Sequence, residues 1–363
     1  MNVKFLSNLY PSESKPFKGT FVRNVLEGFE KRGGQVSLIS LHDSSNSKLG
    51  KLIDYIQFIW RSFISGLNSH EGEIHYVHYT SHSSLGLILA SFFKSKDKLV
   101  IVSNVHGSDI LPEKIGAFSK IKIWISQKIL NISTLVVSPS GYFKNVLMAE
   151  YGVCNRDVIV SPSGGVDASV FRVSSEVNKE FTFGYVGRLE EDKGIFDLLD
   201  AFRLNQLENP QSTLVLVGTG SCEARLKDVI NSMSGVTILK GMSQRDLVNV
   251  YQSLKFLVFP SKRVSESLGL IPIEAMMCGV PVLSSTIGAT KDYIVEDMCK
   301  LTFEPGRVEE LEVALKVATD MSVNDYLRLS DLALETASNY SSSKVIDDLY
   351  RTLESRLDTR LSK

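Results

Sequence analysis

Two tandem α/β domains, each a parallel sheet covered by helices, are expected from three features of the chain. Apolar runs of strand length alternate with amphipathic stretches of helix length from one end to the other. These runs fall into two successive sets. At 363 residues the chain also exceeds the size at which one hydrophobic core usually stops growing.

In order, the first set of strands is expected at Val3–Leu6, Gln35–Leu41, Ile74–Tyr79, Leu99–Ser103, Leu135–Ser138 and Val158–Ser161. The second set is expected at Phe181–Val186, Leu214–Val217, Val236–Leu239, Phe256–Phe259, Pro281–Ser284 and Leu301–Phe303. Two Rossmann-like domains follow, over residues 1–173 and 181–340, with the polar segment Ser174–Glu180 as linker. After about Arg307 the chain turns helical and acidic. Its last run, Ser343 to Leu357, spaces Val345, Ile346, Leu349, Leu353 and Leu357 as one buried helical stripe.

Composition narrows the class. Hydrophobic residues at 43% and charged residues at 22% suit a globular protein and exclude a disordered one. No apolar run reaches the ~18 residues of a membrane span, and MNVKFLSNLY lacks a cleavable signal pattern, so a cytoplasmic protein is expected. Cys154, Cys222, Cys278 and Cys299 show neither zinc-ligand nor disulfide spacing. The net charge of −1 hides a basic first half (+5 for residues 1–168) and an acidic second half (−6), which suggests an anionic surface or acceptor for one domain. That asymmetry is too mild for nucleic acid.

The richest stretch is SESLGLIPIEAMMCGVPVLSS, Ser265 to Ser285, in which Glu266 and Glu274 bracket a nearly apolar segment. Gly269 opens a helix there. The amides from Ser267 through Leu268 and Gly269 to Leu270, with the positive end of the helix dipole, suit a phosphate, and the two acids can accept from sugar hydroxyls. Upstream, FGYVGRLEEDKG reads as a buried strand ending at Gly187, followed by the cations Arg188 and Lys193. A planar fork and a point charge both fit phosphate oxygens. Their alternative partners are the neighbouring acids Glu190, Glu191 and Asp192. In the first domain, VSNVHGSDI sets His106 and Asp109 beside Gly107 just past a strand, where a ligand-facing residue belongs. His70, His75, His78 and His82 lack that context. Gly19 and Thr20 stand between the first strand and first helix, where glycine lets backbone approach a phosphate. No D-x-D occurs anywhere in the chain, so a divalent metal is not expected.

Here the chain resembles a known family, the retaining GT-B glycosyltransferases of the glycosyltransferase 4 group. The GRL-x-x-x-KG element supplies Arg188 and Lys193, and the E-x7-E element supplies Glu266 and Glu274. The likeness runs on through Gly279–Val282 and TIGATKDYI, where related chains usually show a second Gly and a Glu in place of Ala289 and Asp292. VSPSGGVDASVF looks like the family's interdomain turn, with Ser163-Gly164 where Asn is common. The resemblance implies two domains facing a cleft, with the C-terminal helix 343–363 crossing back to the first. It implies a UDP- or GDP-linked sugar donor on the second domain, no metal or other cofactor, and a saccharide or lipid-linked hydroxyl acceptor in surface polysaccharide or lipopolysaccharide synthesis. Glu274 then meets the ribose, Glu266 the transferred sugar, Arg188 and Lys193 the diphosphate, His106 the sugar near the reacting carbon, and Gly19 and Thr20 the donor phosphate. Retention implies that the donor phosphate itself accepts the acceptor's proton.

Three rival readings exist. LVLVGTGSCEAR offers G-x-G after a strand, as in dinucleotide-dependent oxidoreductases, but Glu223 replaces the third glycine. The same architecture also serves nucleotide-sugar epimerases and non-catalytic subunits of polysaccharide complexes. Finally, the stretch from Ile115 to Leu130 interleaves Lys114, Lys120, Lys122 and Lys128 with Phe118, Ile121, Trp124 and Ile125, and Leu52–Ile64 carries Tyr55, Phe58, Trp60 and Phe63. Such helices either pack on the sheet or lie at the inner face of a membrane as a peripheral contact.

Overall fold

The computed structural model describes residues 1–12, 19–41, 47–95, 97–113, 116–174 and 178–361. Lys114 and Ile115 at the start of the expected basic helix, Pro16–Lys18 before Gly19, and residues 175–177 of the expected linker lie outside them.

In the first compact unit, Met1–Gly165 with Ser342–Lys363, the chain runs β1 (Asn2–Ser7), α1 (Thr20–Glu30), β2 (Gln35–Ser40), α2 (Lys48–Leu67) and β3 (Glu73–His78). It continues through α3 (Thr80–Ser83), α4 (Leu85–Ala90), β4 (Val100–Asn104), α5 (Ala117–Ile132), β5 (Leu135–Ser138), α6 (Gly141–Tyr151) and β6 (Val158–Val160). All six strands are parallel, in the order β2-β1-β3-β4-β5-β6.

The second unit, Val166–Ser341, begins with β7 (Phe181–Val186), α7 (Ile195–Glu208), β8 (Leu214–Val217), α8 (Glu223–Ile230), β9 (Val236–Leu239) and α9 (Gln244–Ser253). There follow β10 (Leu254–Phe259), α10 (Leu270–Met277), β11 (Val282–Ser285), β12 (Thr302–Phe303), α11 (Val308–Thr319) and α12 (Val323–Ser338). Its parallel sheet has the order β12-β11-β10-β7-β8-β9. The last helix, α13 (Ser342–Leu361), belongs to the first unit.

Continuous apolar runs form strands here because successive residues feed different cores on the two faces of one sheet. Val3 and Phe5 of β1 pack in one core with Phe29 and Tyr76, whereas Leu6 joins Val77, Leu87 and Ile101 in another. Fully burying each such side chain contributes about 1.5–3 kcal/mol. The apolar stripe of α13 completes the first of these cores: Ile346, Leu349, Tyr350, Leu353 and Leu357 are buried in it, and the Tyr350 ring meets Phe29 edge-on at 5.2 Å. Arg32 clips the same helix through Asp347 Oδ1 at 3.0 Å.

The chain passes between the units at Gly165–Val166, because Val166 and Phe171 are already buried in the second unit's core. Just before that point Ser163 is held at φ +45°, followed by Gly164 and Gly165 at +79° and +69°. Asn tolerates that left-handed region and Ser serves here with its amide bonded to Ser161 O at 2.7 Å. Among the described residues no helix is long and apolar enough to cross a membrane.

Candidate active site

In an open parallel sheet the place for a ligand is the carboxyl edge where strand order reverses. In the second unit that point lies between β7 and β10, since β8 and β9 extend the sheet one way and β11 and β12 the other. The loops that leave these two strands are the GRL-x-x-x-KG and E-x7-E segments. Lys262 N donates to Asp192 O at 2.9 Å, joining the two loops backbone to backbone.

Across that seam Lys193 Nζ lies 2.5 Å from Glu266 Oε2, with both side chains mostly buried. Ser261 Oγ donates to the same carboxylate oxygen at 3.1 Å. The Tyr185 hydroxyl donates to Arg188 O at 2.6 Å, fixing the turn after β7 while the Arg188 side chain remains exposed. Burial raises the Tyr185 hydroxyl above its ordinary range, the nearby Glu266 adding to the rise, so it stays a neutral donor. The three acids next to these cations in sequence have further partners, although Glu190 also feels the charge of Arg188. Glu190 accepts from Ser221 N at 3.0 Å, Glu191 lies near Arg225, and Asp192 pairs with Arg263 at 3.3 Å.

Glycine is required twice in this seam by close approach. A Cβ on Gly194, at φ +70°, would sit 2.0 Å from Pro260 O, and one on Gly218 would sit 1.8 Å from Gly187 O. The G-x-G of GTGS therefore serves to pack its loop against the turn after β7, which is a different use from a dinucleotide fingerprint.

α10 starts at Leu270 behind Gly269, which has φ +75° and no side chain to cap the helix. Ser267 and Leu270 are partly exposed, while Leu268 is buried. Gly187 abuts this start, because a Cβ there would meet Ile271 Cδ1 at 3.7 Å. Glu274, on the second turn, is 7% exposed and accepts from the Tyr251 hydroxyl at 2.8 Å. Burial lifts its carboxyl to about 7, and the Tyr251 bond opposes the rise. Tyr185, Ser261 and Tyr251 carry no motif, and their roles follow only from the fold.

In the first unit the reversal lies between β1 and β3. Gly19 begins α1 at φ +74°, where a Cβ would lie 2.5 Å from Leu9 O, and Thr20 is the first helical residue. His106, after β4, is partly buried, with its ring stacked on Tyr79 at 4.4 Å. Its Nε2 lies 3.0 Å from His78 Nδ1 and its amide donates to Asp109 Oδ1 at 2.9 Å. Asp109 Oδ2 accepts from both the amide and hydroxyl of Thr80 at 3.0 Å. Desolvation lowers His106 to about 3 and drives the buried His78 well below its usual value, so both rings are neutral at physiological pH. His78, which no sequence signal marked, is thus the ring that holds His106. Beside this cluster a cavity of about 640 Å³ is lined by Asn8, Tyr79, Ser81, His82 and Lys122, among others. Arg188, Lys193, Glu266, Glu274 and the residues Gly187 and Ser267–Leu270 all belong to the second unit, where Lys193 touches Glu266 and Glu274 lies against Tyr251; Gly19, Thr20 and His106 belong to the first.

Residues 19–169 match the family described as Glycosyltransferase Family 4, and residues 167–330 match Glycosyl transferases group 1. Among curated relatives, the uncharacterized glycosyltransferase YqgM of Bacillus subtilis is 23% identical over 317 residues, covering 85% of each chain. The capsular polysaccharide biosynthesis glycosyltransferase CapM of Staphylococcus aureus is 23% identical over 269 residues, covering 69% of this chain and 68% of CapM. Among solved structures, Anabaena HepE in complex with UDP and glucose superposes with a TM-score of 0.73 at 17% identity, covering 98% of this chain and all of that one.

Proposed function

Since the chain belongs to the GT-B glycosyltransferases of family 4, we propose that it moves a sugar, with retention, from a nucleoside-diphosphate sugar to a hydroxyl acceptor. The observation that carries this is the joining of Lys193 to Glu266 at the β7–β10 switch point, beside the open start of α10. Breaking the anomeric bond builds negative charge on the leaving phosphate oxygen. Arg188, Lys193 and the α10 amides stabilise charge that grows in the transition state, which lowers the barrier without a metal. Glu266 receives hydroxyls of the transferred sugar, and Glu274, steadied by Tyr251, receives the ribose. A UDP or GDP sugar fits this set, and the complex of HepE with UDP and glucose supports the class of donor.

In the first unit, Gly19 and Thr20 are suited to a phosphate and neutral His106 to a sugar. The cavity beside them takes a saccharide or lipid-linked acceptor, and the likeness to CapM supports surface polysaccharide synthesis as the setting. Glu266 is paired with Lys193 and Glu274 is buried against Tyr251, so the acceptor proton passes to the departing phosphate.

The test is a panel of UDP and GDP sugars in thermal shift, followed by NMR of the product made from the donor that stabilises. An α-linked product from an α-linked donor is expected. Inversion at the anomeric carbon overturns the mechanism, and release of the epimeric sugar without transfer overturns the reaction.

A further inference from the structure

Both tryptophans of the chain lie on the helical layer over one face of the first unit's sheet, and both are exposed, Trp60 by 61% and Trp124 by 56%. The exposed phenylalanines are there too: Phe92 and Phe93 just after α4, and Phe118 on α5. Among the described residues no exposed Trp or Phe stands elsewhere.

On α2 the exposed apolar residues Leu49, Leu52, Ile53, Ile56 and Trp60 recur at i, i+3, i+4, i+7 and i+11. That is a complete amphipathic stripe, and it faces water. The side of α2 turned inward buries Phe58, Ser62, Ser65 and Gly66, with Phe63 and Leu67 packed against the core. A helix that only covers a sheet has one apolar face, and α2 has a second one turned outward. The Phe63 ring links Trp60 at 5.7 Å to Phe93 at 6.1 Å, so α2 and the end of α4 form one apolar surface. On its other side α4 packs with α5, where Leu87 and Ile88 share a core with Ile125 and Ile129. α5 adds Phe118, Ile121 and Trp124 to the outer face.

The charges around these rings are almost all positive. α2 and α5 carry Lys48, Lys51, Arg61, Lys120, Lys122 and Lys128 against Asp54 alone. Two of the lysines stand over exposed rings, Lys122 Nζ 4.7 Å from Phe118 and Lys128 Nζ 5.7 Å from Trp124. Protein interfaces are depleted in lysine, whereas the boundary of an anionic bilayer favours aromatic rings beside lysines at one depth. Contiguous exposed apolar side chains rimmed by charged ones mark an interaction site.

We infer that the outer face of α2, α4 and α5 docks on the surface of an anionic lipid bilayer. The rings enter the headgroup boundary and the lysines meet lipid phosphates. This docking stands apart from the donor site and from the transfer reaction, and its test needs no substrate. It does bear on the acceptor, because Phe118 and Lys122 border both this face and the neighbouring cavity.

Because the only two tryptophans sit on this face, intrinsic fluorescence reports it alone. The full chain is mixed with vesicles of phosphatidylglycerol and phosphatidylcholine in equal parts, and with pure phosphatidylcholine vesicles, at low and high salt. With the anionic vesicles at low salt, the emission is expected to shift to the blue, its quenching by acrylamide to fall, and the protein to pellet. High salt should reverse this. Lys128→Ser should weaken binding about fivefold, and Trp60→Ser with Trp124→Ser should abolish pelleting while the melting temperature holds. Unchanged emission with no pelleting at low salt overturns the inference, as does equal binding to neutral vesicles. Acrylamide protection without vesicles, together with a doubled mass in solution, assigns the face to a second copy of the chain and also overturns it.

Discussion

Lys193 Nζ and Glu266 Oε2 are 2.5 Å apart although 73 residues separate them, so the cation assigned to the diphosphate is held by the acid assigned to the sugar. A donor must loosen this pair before it gains the lysine. Replacing Glu266 by Gln removes the competing charge, and the affinity for bare UDP or GDP should rise several-fold by calorimetry. Turnover should fall on the order of a hundredfold because a group that stabilises the transition state is lost. Lys193→Ala should lose both affinity and rate, by about 2–4 kcal/mol in the barrier. Equal or weaker nucleotide binding by the Gln variant would show that the pair does not guard the site.

Glu274 gives stability a pH dependence opposite in sign to that of a salt-bridged acid. Burial raises its folded pKa from 4.5 to about 7, so between those values the folded state holds a proton that the unfolded chain has released. Its contribution to stability is full below about pH 4.5 and is lost as pH rises through 7, by about 3 kcal/mol at most. Glu274→Gln should therefore melt at a similar temperature to the parent at pH 5 and at a higher one at pH 8. A ribose hydroxyl donating to the ionised carboxylate should also displace the proton. Nucleotide binding near pH 6.5 should then release protons, seen as a calorimetric enthalpy that changes with the buffer's ionisation heat. Coincident melting curves for parent and variant across this range would remove the buried-acid account.

The sheets could be read from sequence because parallel strands covered on both faces need continuous apolar runs, and each of the expected strands overlaps an observed one. Boundaries moved where tertiary contact extended a strand. β10 starts at Leu254 rather than Phe256 because the Leu254 side chain fills the space over Gly184, where a Cβ would lie 2.4 Å from it. Partners across the sheet were not legible. Tyr251 reaches Glu274 from α9, and His78 reaches His106 only because β3 pairs with β4 in a register that sets His78 against Asn104. A histidine inside a strand looks like core until its neighbour strand is known. The G-x-G after β8, discounted in sequence as a dinucleotide motif for want of its third glycine, owes its glycines to backbone packing that only the fold shows.

Acid should unfold the first unit early. His75 and His82 are lowered to about 4 and His106 to about 3 by burial, and His78 is driven well below its usual value. All are in that unit. As pH falls below the unfolded value near 6.5, the unfolded chain binds protons that the folded unit refuses. Stability is present above 6.5 and declines toward the folded values, at up to about 1.4 kcal/mol per pH unit for each ring. Partial exposure of His82 reduces its share. Hydrogen exchange at pH 5.5, corrected for intrinsic rates, should show protection in β3 and β4 falling before that in β7 and β8. Simultaneous loss in both sheets would mean that the histidines do not control it.

Gly194 offers the sharpest separation of site geometry from bulk stability. A Cβ there meets Pro260 O at 2.0 Å and must also adopt φ +70°, whereas one at Gly33, with φ +81°, meets nothing within 4 Å. Gly33→Ala should cost about 1 kcal/mol from the backbone alone. Gly194→Ala adds the clash, which the loop can relieve only by drawing the turn after β7 away from the end of β10. That movement carries Lys193 off Glu266. The variant should lose on the order of 2–3 kcal/mol in denaturant unfolding, and the protein that remains folded should bind UDP or GDP weakly. Full nucleotide affinity in folded Gly194→Ala would mean that the close approach of the two loops does not set the position of the lysine.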